Sequence, residues 1–334
     1  MNARTLAVGC VLLTVSLLAG GCIEPPTRRC PETALSLGQL TQDYNANADK
    51  VQQVWARAKI DMTVTDGKNT VTWGSLLGAP NGVILLGKGP NKLGPHDFVL
   101  QGTESGKPLF RVGTSTADNV YYVWFSVGSK GGAFVGSLPN AGAPGSEDIA
   151  LDPLGLVSLL MVTRLPDDFT TVPTLGMTLN GGVPAGGKRT ACAYVVTYID
   201  RQPRTGYILM KREIYFNWDG QTPRPFRVDF IDSTGRRVVT ATMGKYVAIP
   251  GTGTAGQEAV LPTDIRLEEI PWPKRQSVIK KIHLQLSELS TTEGDPMEAA
   301  KFWTYLPTNL RPGLKALDPF VKPPPPDEDE GDQE

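Results

Sequence analysis

Thiol groups are the reactive side chains that this 334-residue chain offers most clearly. Its cysteines are Cys10, Cys22, Cys30 and Cys192. None forms a CxxC pair, and the two histidines, His96 and His283, lie in other segments. Structural zinc sites combine four Cys or His ligands, and redox sites use paired or activated cysteines. The sequence therefore predicts no metal and no redox centre, which leaves acylation and cross-linking as the chemistry of these thiols.

An export signal is predicted over residues 1–21. Its apolar stretch, Leu6 to Leu18, is too short to span a bilayer as a helix, and Arg4 supplies the preceding positive charge. The string LAGGC, which ends at Cys22, resembles a lipobox, because small residues fit a signal peptidase and the cysteine can accept a diacylglycerol. The usual Leu three residues before the cysteine is replaced by Ala19.

We therefore expect Cys22 to carry lipid and to begin a lipid-anchored linker, residues 22–32. Two or three acyl chains would hold the protein on a membrane permanently. Ile23 follows the cysteine, in place of the Asp that retains lipoproteins in the inner membrane of enteric bacteria, so we expect the outer membrane, facing the periplasm. The alternative is an ordinary secretory signal cut near Gly20, which would leave Cys22 as a free thiol.

Cys30 and Cys192 are expected to form a disulfide, because an exported protein meets an oxidising compartment. The bridge would close a loop of about 160 residues and would stabilise the fold by up to roughly 5 kcal/mol in the entropic description. The alternative is two unpaired cysteines, with Cys192 buried in a strand.

Charge is concentrated at the carboxyl end of the chain. Residues 323–334 carry six carboxylates and nothing apolar to bury, so residues 321–334 are predicted to form a solvated, Pro-rich acidic tail. Without the signal and residues 323–334, 33 − 1 = 32 basic and 34 − 6 = 28 acidic residues remain. This mild excess, without a Lys/Arg stripe, excludes nucleic acid as the expected partner.

Catalytic patterns are weak throughout the sequence. Gly251 to Gly256 reads GTGTAG, but Pro250 precedes it and no helix follows, so a hairpin loop is predicted. Neighbouring acids at 167–168 and 268–269 do not make a glycosidase pair, which is set by distance in space. His96, beside Pro95, is predicted to lie in a turn. We therefore expect a protein that is not an enzyme and uses no cofactor.

Two helices are predicted. The first extends from Thr33 to Ala58, where apolar residues recur at steps of three and four opposite a polar face. The second begins at Asp152 and Pro153 and continues through Met161, because Asp caps free amides and Pro suits the first turn. Both should cover a sheet.

Short segments with alternating or β-branched residues make up the rest. In Arg212 to Trp218, Ile214, Phe216 and Trp218 should face one way and Glu213, Tyr215 and Asn217 the other. Gly and Pro separate the segments without room for parallel crossovers. The predicted strands are 59–65, 70–77, 82–87, 97–102, 108–113, 120–127, 133–137, 190–200, 205–218, 225–232, 236–249, 264–270 and 278–289, with a Gly-rich stretch containing GGVPAGG after the second helix.

The predicted fold class is mainly β with helices (α+β). Residues 33–320 should form one domain, a strongly bent antiparallel sheet or incomplete β-barrel packed against an N-terminal and a mid-chain helix. This order of elements resembles the LolA/LolB-like lipoprotein carriers. The stretches Phe110 to Gly128 and Arg212 to Val247 are similar to strand pairs of that superfamily. The resemblance implies an apolar cavity, closed by helices, that accepts acyl chains without catalysis.

A lined cavity and a packed core use the same apolar residue types, so two functions remain open. The first is binding of lipid or lipoprotein acyl chains; the second is a structural envelope lipoprotein with a filled core that binds a protein partner. For each candidate lining residue, ordinary core packing is the alternative. The candidates are Trp73, Phe98, Tyr122, Trp124, Leu156, Leu160, Tyr207, Ile214, Phe216 and Phe230.

Overall fold

The computed structural model describes most of the predicted domain. The signal, Cys22, Asp152 and nearly all of the acidic tail lie outside the described residues, as do parts of several loops. The described residues are 30–65, 70–74, 81–88, 96–127, 130–141, 153–184, 190–202, 205–218, 222–270, 279–292, 294, 299–317 and 321.

A single sheet dominates the described part of the chain. Its strands are β1 (Gln53–Thr65), β2 (Thr70–Trp73), β3 (Gly82–Lys88), β4 (His96–Glu104), β5 (Lys107–Ser115), β6 (Val120–Val127), β7 (Lys130–Ser137), β8 (Thr174–Pro184), β9 (Thr190–Arg201), β10 (Ile208–Asn217), β11 (Pro225–Ile231), β12 (Arg237–Ala248), β13 (Val260–Glu269), β14 (Ile279–Ser290) and β15 (Leu314–Ala316). The helices are α1 (Leu37–Lys50), α2 (Pro153–Leu159) and α3 (Phe302–Tyr305), with 3-10 turns at Leu138–Asn140 and Thr308–Gly313.

The strand order is β15-β7-β6-β5-β4-β3-β1-β14-β13-β12-β11-β10-β9-β8, and β2 pairs with β1 beside this path. Neighbouring strands are antiparallel, except that β15 is parallel to β7. Among the described residues β8 and β15 do not meet, so the curled sheet stays open. The prediction of a bent, incomplete antiparallel barrel is confirmed at this level.

Helix α1 begins with a capping box. The Ser36 hydroxyl accepts a hydrogen bond from the Gln39 amide at 3.2 Å, and the Gln39 side chain accepts one from the Ser36 amide at 3.1 Å. These bonds satisfy amide groups that the first turn leaves free. The helix buries Leu40, Tyr44 and Ala48 against the sheet.

The predicted end of the first helix is wrong. The helix stops at Lys50, Val51 is extended, and β1 begins at Gln53. Val54 and Ala58 are buried in the strand, in which every second residue is buried. A spacing of four fits both a helical face and one face of a strand, which explains why the apolar pattern did not show the boundary.

Strand β8 was predicted as part of a Gly-rich connection. It instead forms one edge of the sheet, pairs with β9, and has a register shift between Asn180 and Val183. Leu175 and Met177 contact the main core, whereas Leu179 is 48% exposed. Three glycines within eleven residues concealed this strand, because glycine is depleted in strands and usually marks turns.

The prediction that His96 lies in a turn is also wrong. His96 is the first residue of β4, is only 3% exposed, and its Nε2 donates a hydrogen bond to the Val51 carbonyl at 3.0 Å. Burial lowers its pKa from 6.5 to about 4, since the charged ring would lose its hydration. This bond joins β4 to the segment between α1 and β1.

We expect His96 to make the fold sensitive to acid. Its pKa is lower in the folded than in the unfolded protein, so its contribution is present above about pH 6.5 and is lost as the pH falls toward 4. The full shift corresponds to about 3 kcal/mol of unfolding free energy. Urea unfolding of His96→Gln, which keeps a donor for the Val51 carbonyl, should show a smaller loss between pH 7 and 4.5.

The matched control is His283→Gln, because the chain has no other histidine. This variant should retain the acid sensitivity that His96 confers. An unchanged pH dependence in His96→Gln would contradict the assignment.

Candidate functional site

The face of the sheet that α1 and α2 cover, here called the inner face, carries the main apolar core. In β10, Ile214 and Phe216 belong to this core and Trp218 packs against it. Tyr215 lies in a separate cluster, and its hydroxyl donates to the Glu213 carboxylate at 2.8 Å. The predicted alternation in this strand is therefore confirmed.

Helix α2 packs closely against the part of the inner face that it crosses. Leu156, Leu159 and Leu160 pack against apolar side chains of β3, β4, β13 and β14. The cavity left between them has a volume of about 10 Å³. That is about the space of one water molecule, whereas ligand pockets usually have roughly 300 to 1,000 Å³. At this place the inner face is a packed core.

Helix α1 covers the neighbouring part of the inner face and is held by a few polar contacts. Its Tyr44 ring meets the Phe216 ring edge-on at 5.9 Å between centroids. Asn45 donates to the Leu165 carbonyl at 2.9 Å and accepts from the Leu165 amide at 2.8 Å. Asn47 makes the same pair of bonds with Val260, at 3.1 and 2.8 Å.

A groove of about 310 Å³ lies on the outer side of α1, between this helix and residues 164–169. Arg164 forms ion pairs with Asp49 and Asp167 there, and all three side chains are about half or more exposed. Phe169, also in its wall, is 38% exposed. Surface pairs of this kind contribute little to stability, so the buried amide contacts of Asn45 matter more for holding α1 in place.

Most predicted lining residues meet on the inner face. Phe98, Leu156, Leu160, Ile214 and Phe216 are buried in the main core, and Trp73 and Phe230 pack half-buried against it.

Three other predicted lining residues lie apart from that group. Tyr207 is 69% exposed, and Tyr122 and Trp124 belong to a second cluster. Because Val123 packs in the main core, its neighbours in β6 point to the opposite, outer face. There Phe302 of α3 stacks on Tyr122 at 4.6 Å between ring centroids, and its amide donates to the Asp118 carboxylate at 2.8 Å.

The expected disulfide between Cys30 and Cys192 is present, with Cα atoms 5.6 Å apart. Two hydrogen bonds add to it: the Leu35 amide donates to the Tyr194 hydroxyl at 3.0 Å, and Trp218 Nε1 donates to the Thr33 carbonyl at 3.0 Å. The segment before α1 is thereby fixed to β9 and to the end of β10.

In the part of the chain that the structure describes, no group of three or more His, Cys, Asp or Glu side chains could hold a metal ion. His283 lies between two carboxylates, 2.8 Å from Asp264 and 3.9 Å from Asp61. No helix among the described residues is long and apolar enough to cross a membrane.

Comparison with known proteins returns structural neighbours of low identity. An outer membrane lipoprotein-sorting protein domain from Vibrio parahaemolyticus is 12% identical, with 79% of this chain and 95% of that chain covered and a TM-score of 0.43. A DUF1329 family protein from Desulfovibrio piger is 14% identical over 81% and 98%, with a TM-score of 0.40. A LolA superfamily protein from Nitrosomonas europaea is 13% identical over 78% and 96%, with a TM-score of 0.35.

The third neighbour belongs to the superfamily that the sequence resembles. Neither a protein-family model nor a curated protein matches the chain.

We expect the core beneath α2 to be sensitive to truncation. Leu159 is 1% exposed and lines the small cavity, so Leu159→Ala should lower the unfolding free energy by about 2 to 5 kcal/mol. Ser158→Ala, at the neighbouring half-buried position of the same helix, should cost clearly less. Urea unfolding measures both. A loss below about 1 kcal/mol for Leu159→Ala would mean that α2 covers the sheet loosely.

Proposed function

We propose that this protein is a lipid-anchored lipoprotein of the cell envelope that binds acyl chains of lipids or lipoproteins on the inner face of its sheet, without catalysis. The observation that carries the proposal is a broad apolar face of an open sheet, covered by two short helices. Beyond its buried apolar residues, α1 is held there by hydrogen bonds of Asn45, Asn47 and Lys50, so its displacement would break no strand pairs.

The free energy of acyl-chain burial is large enough for a ligand to take the place of a helix on the inner face. Moving an acyl chain of about 15 methylenes from water to an apolar surface gains about 12 kcal/mol gross. Ordering the chain and losing its free motion take back much of this gain. Displacing Leu156, Leu159 and Leu160 from their packed positions costs further free energy. Net binding therefore requires that the acyl chain replace the apolar contacts of the helices.

The second candidate function is an interaction lipoprotein with a permanently filled core. The cavity of about 10 Å³ beneath α2 favours it, because an acyl chain cannot enter there unless α2 moves. A protein partner would then be the ligand.

Native mass spectrometry separates the two functions. We expect a soluble form that starts at Ile23, exported through a cleavable signal and purified without detergent, to carry a discrete added mass of a phospholipid or an acylated peptide. Phe230→Glu, at a half-buried inner position, should reduce this adduct because a carboxylate opposes acyl contact. Tyr207→Glu, at an exposed position, should leave it unchanged. A bare mass that persists after incubation with phospholipid vesicles would favour the filled core.

The anchor is tested on the full chain. Cells expressing it and fed radiolabelled palmitate should label the wild type and Cys10→Ser, and should fail to label Cys22→Ser, because the acceptor thiol is then lost. The labelled protein should fractionate with the outer membrane. An unlabelled wild type would indicate an ordinary secretory signal instead.

A further inference from the structure

We propose that Arg212 and Tyr198 form a subsite for the anionic head group of the acylated ligand, which makes the ligand an anionic amphiphile. This inference rests on the proposed function. The two residues belong to a row of directly paired positions that crosses four strands. The row consists of Leu175 in β8, Tyr198 in β9, Arg212 in β10 and Phe230 in β11.

Arg212 projects to the inner face. It lies two and four residues before Ile214 and Phe216 in the same strand, so its side chain is on the same face as theirs. Burial raises the pKa of the Tyr44 and Tyr198 hydroxyls, and the positive charge of Arg212 acts in the opposite direction. The guanidinium carbon lies 4.4 Å from the centroid of the Tyr198 ring. Arg212, Tyr198 and Phe230 are each half-buried. The row therefore lies among apolar side chains but can still be reached from solvent.

This cation has no anionic partner among the described residues: no carboxylate there lies within 4 Å of it, and its buried Nε makes no hydrogen bond. The Asp200 carboxylate, whose charge acts on Tyr198, accepts a bond from the Arg201 amide at 2.7 Å. On the outer face, by contrast, Arg227 and Arg237 both pair with Asp229, at 2.6 and 3.2 Å. Partial burial of a charge is unfavourable unless a counter-charge compensates it.

An anionic head group would supply that counter-charge. Guanidinium binds carboxylate and phosphate oxygens through paired N–H donors, and stacking on an aromatic ring holds it in one orientation. The next row along the sheet is apolar: Met177, Val196, Ile214, Val228 and Ala241. A chain attached to an anion at Arg212 can therefore continue along the inner face.

The test compares two amphiphiles with the same chain, dodecanoate and dodecanol, by displacement of a fluorescent apolar dye from the soluble form. We expect the wild type to bind dodecanoate about tenfold more tightly, which corresponds to about 1.4 kcal/mol, because only the charged head group can pair with the guanidinium. Arg212→Gln should lose this preference and keep its affinity for dodecanol. Arg212→Lys should keep part of it, and Arg57→Gln, an exposed arginine of β1, should keep all of it.

The possible results separate the subsite from the proposed function. Equal binding of both amphiphiles by the wild type, or an unchanged preference in Arg212→Gln, would overturn the subsite and leave acyl binding in place. Binding of neither amphiphile would overturn both. Inorganic phosphate at millimolar concentration should not displace the dye; displacement as effective as that by dodecanoate would mean that the subsite takes a free anion.

Discussion

The whole arrangement depends on keeping one face of an open sheet away from water. A closed barrel would bury its inner side chains among its own strands, but here β8 and β15 remain apart in the described part of the chain. The apolar inner face must therefore be covered by elements that are not strands. Helices α1 and α2 do this, and their apolar residues join side chains from β1, from β3 to β6 and from β8 to β14 in one core.

The two covering helices also determine where on the inner face a ligand could bind. Under α2 the packing is close to that of an ordinary protein interior, so occupancy by an acyl chain and by the helix exclude each other. Near α1 the contacts are fewer and more polar, and the row that contains Arg212 is half-buried. The inner face is thus filled under α2 and reaches solvent at the half-buried row of Tyr198, Arg212 and Phe230.

Much of this fold follows from period-two alternation, which located most strands within a few residues. Prediction failed where one pattern fits two structures. Val54 and Ala58 suit a helix or a strand, and the glycines of β8 concealed a strand. In β6 the apolar run gives no sign of which side each residue faces, because α3 buries the outer side as well; Tyr122 and Trp124 were therefore grouped with the wrong face. The sequence did not indicate a role for Arg212, because Tyr198, whose ring it contacts, lies on another strand.

The position of the disulfide has a mechanical consequence. Cys30 precedes α1, and Cys192 lies in β9, within the body of the sheet. A pull on the amino terminus passes through the sulfur–sulfur bond directly into β9, and α1 is left outside the path of the load. With the thiols reduced, the same pull would be resisted before α1 only by the hydrogen bonds of Thr33 and Leu35, and once these broke it would draw the helical cover off the sheet. Oxidation therefore decides whether tension at the amino terminus strains a covalent bond or peels away the cover.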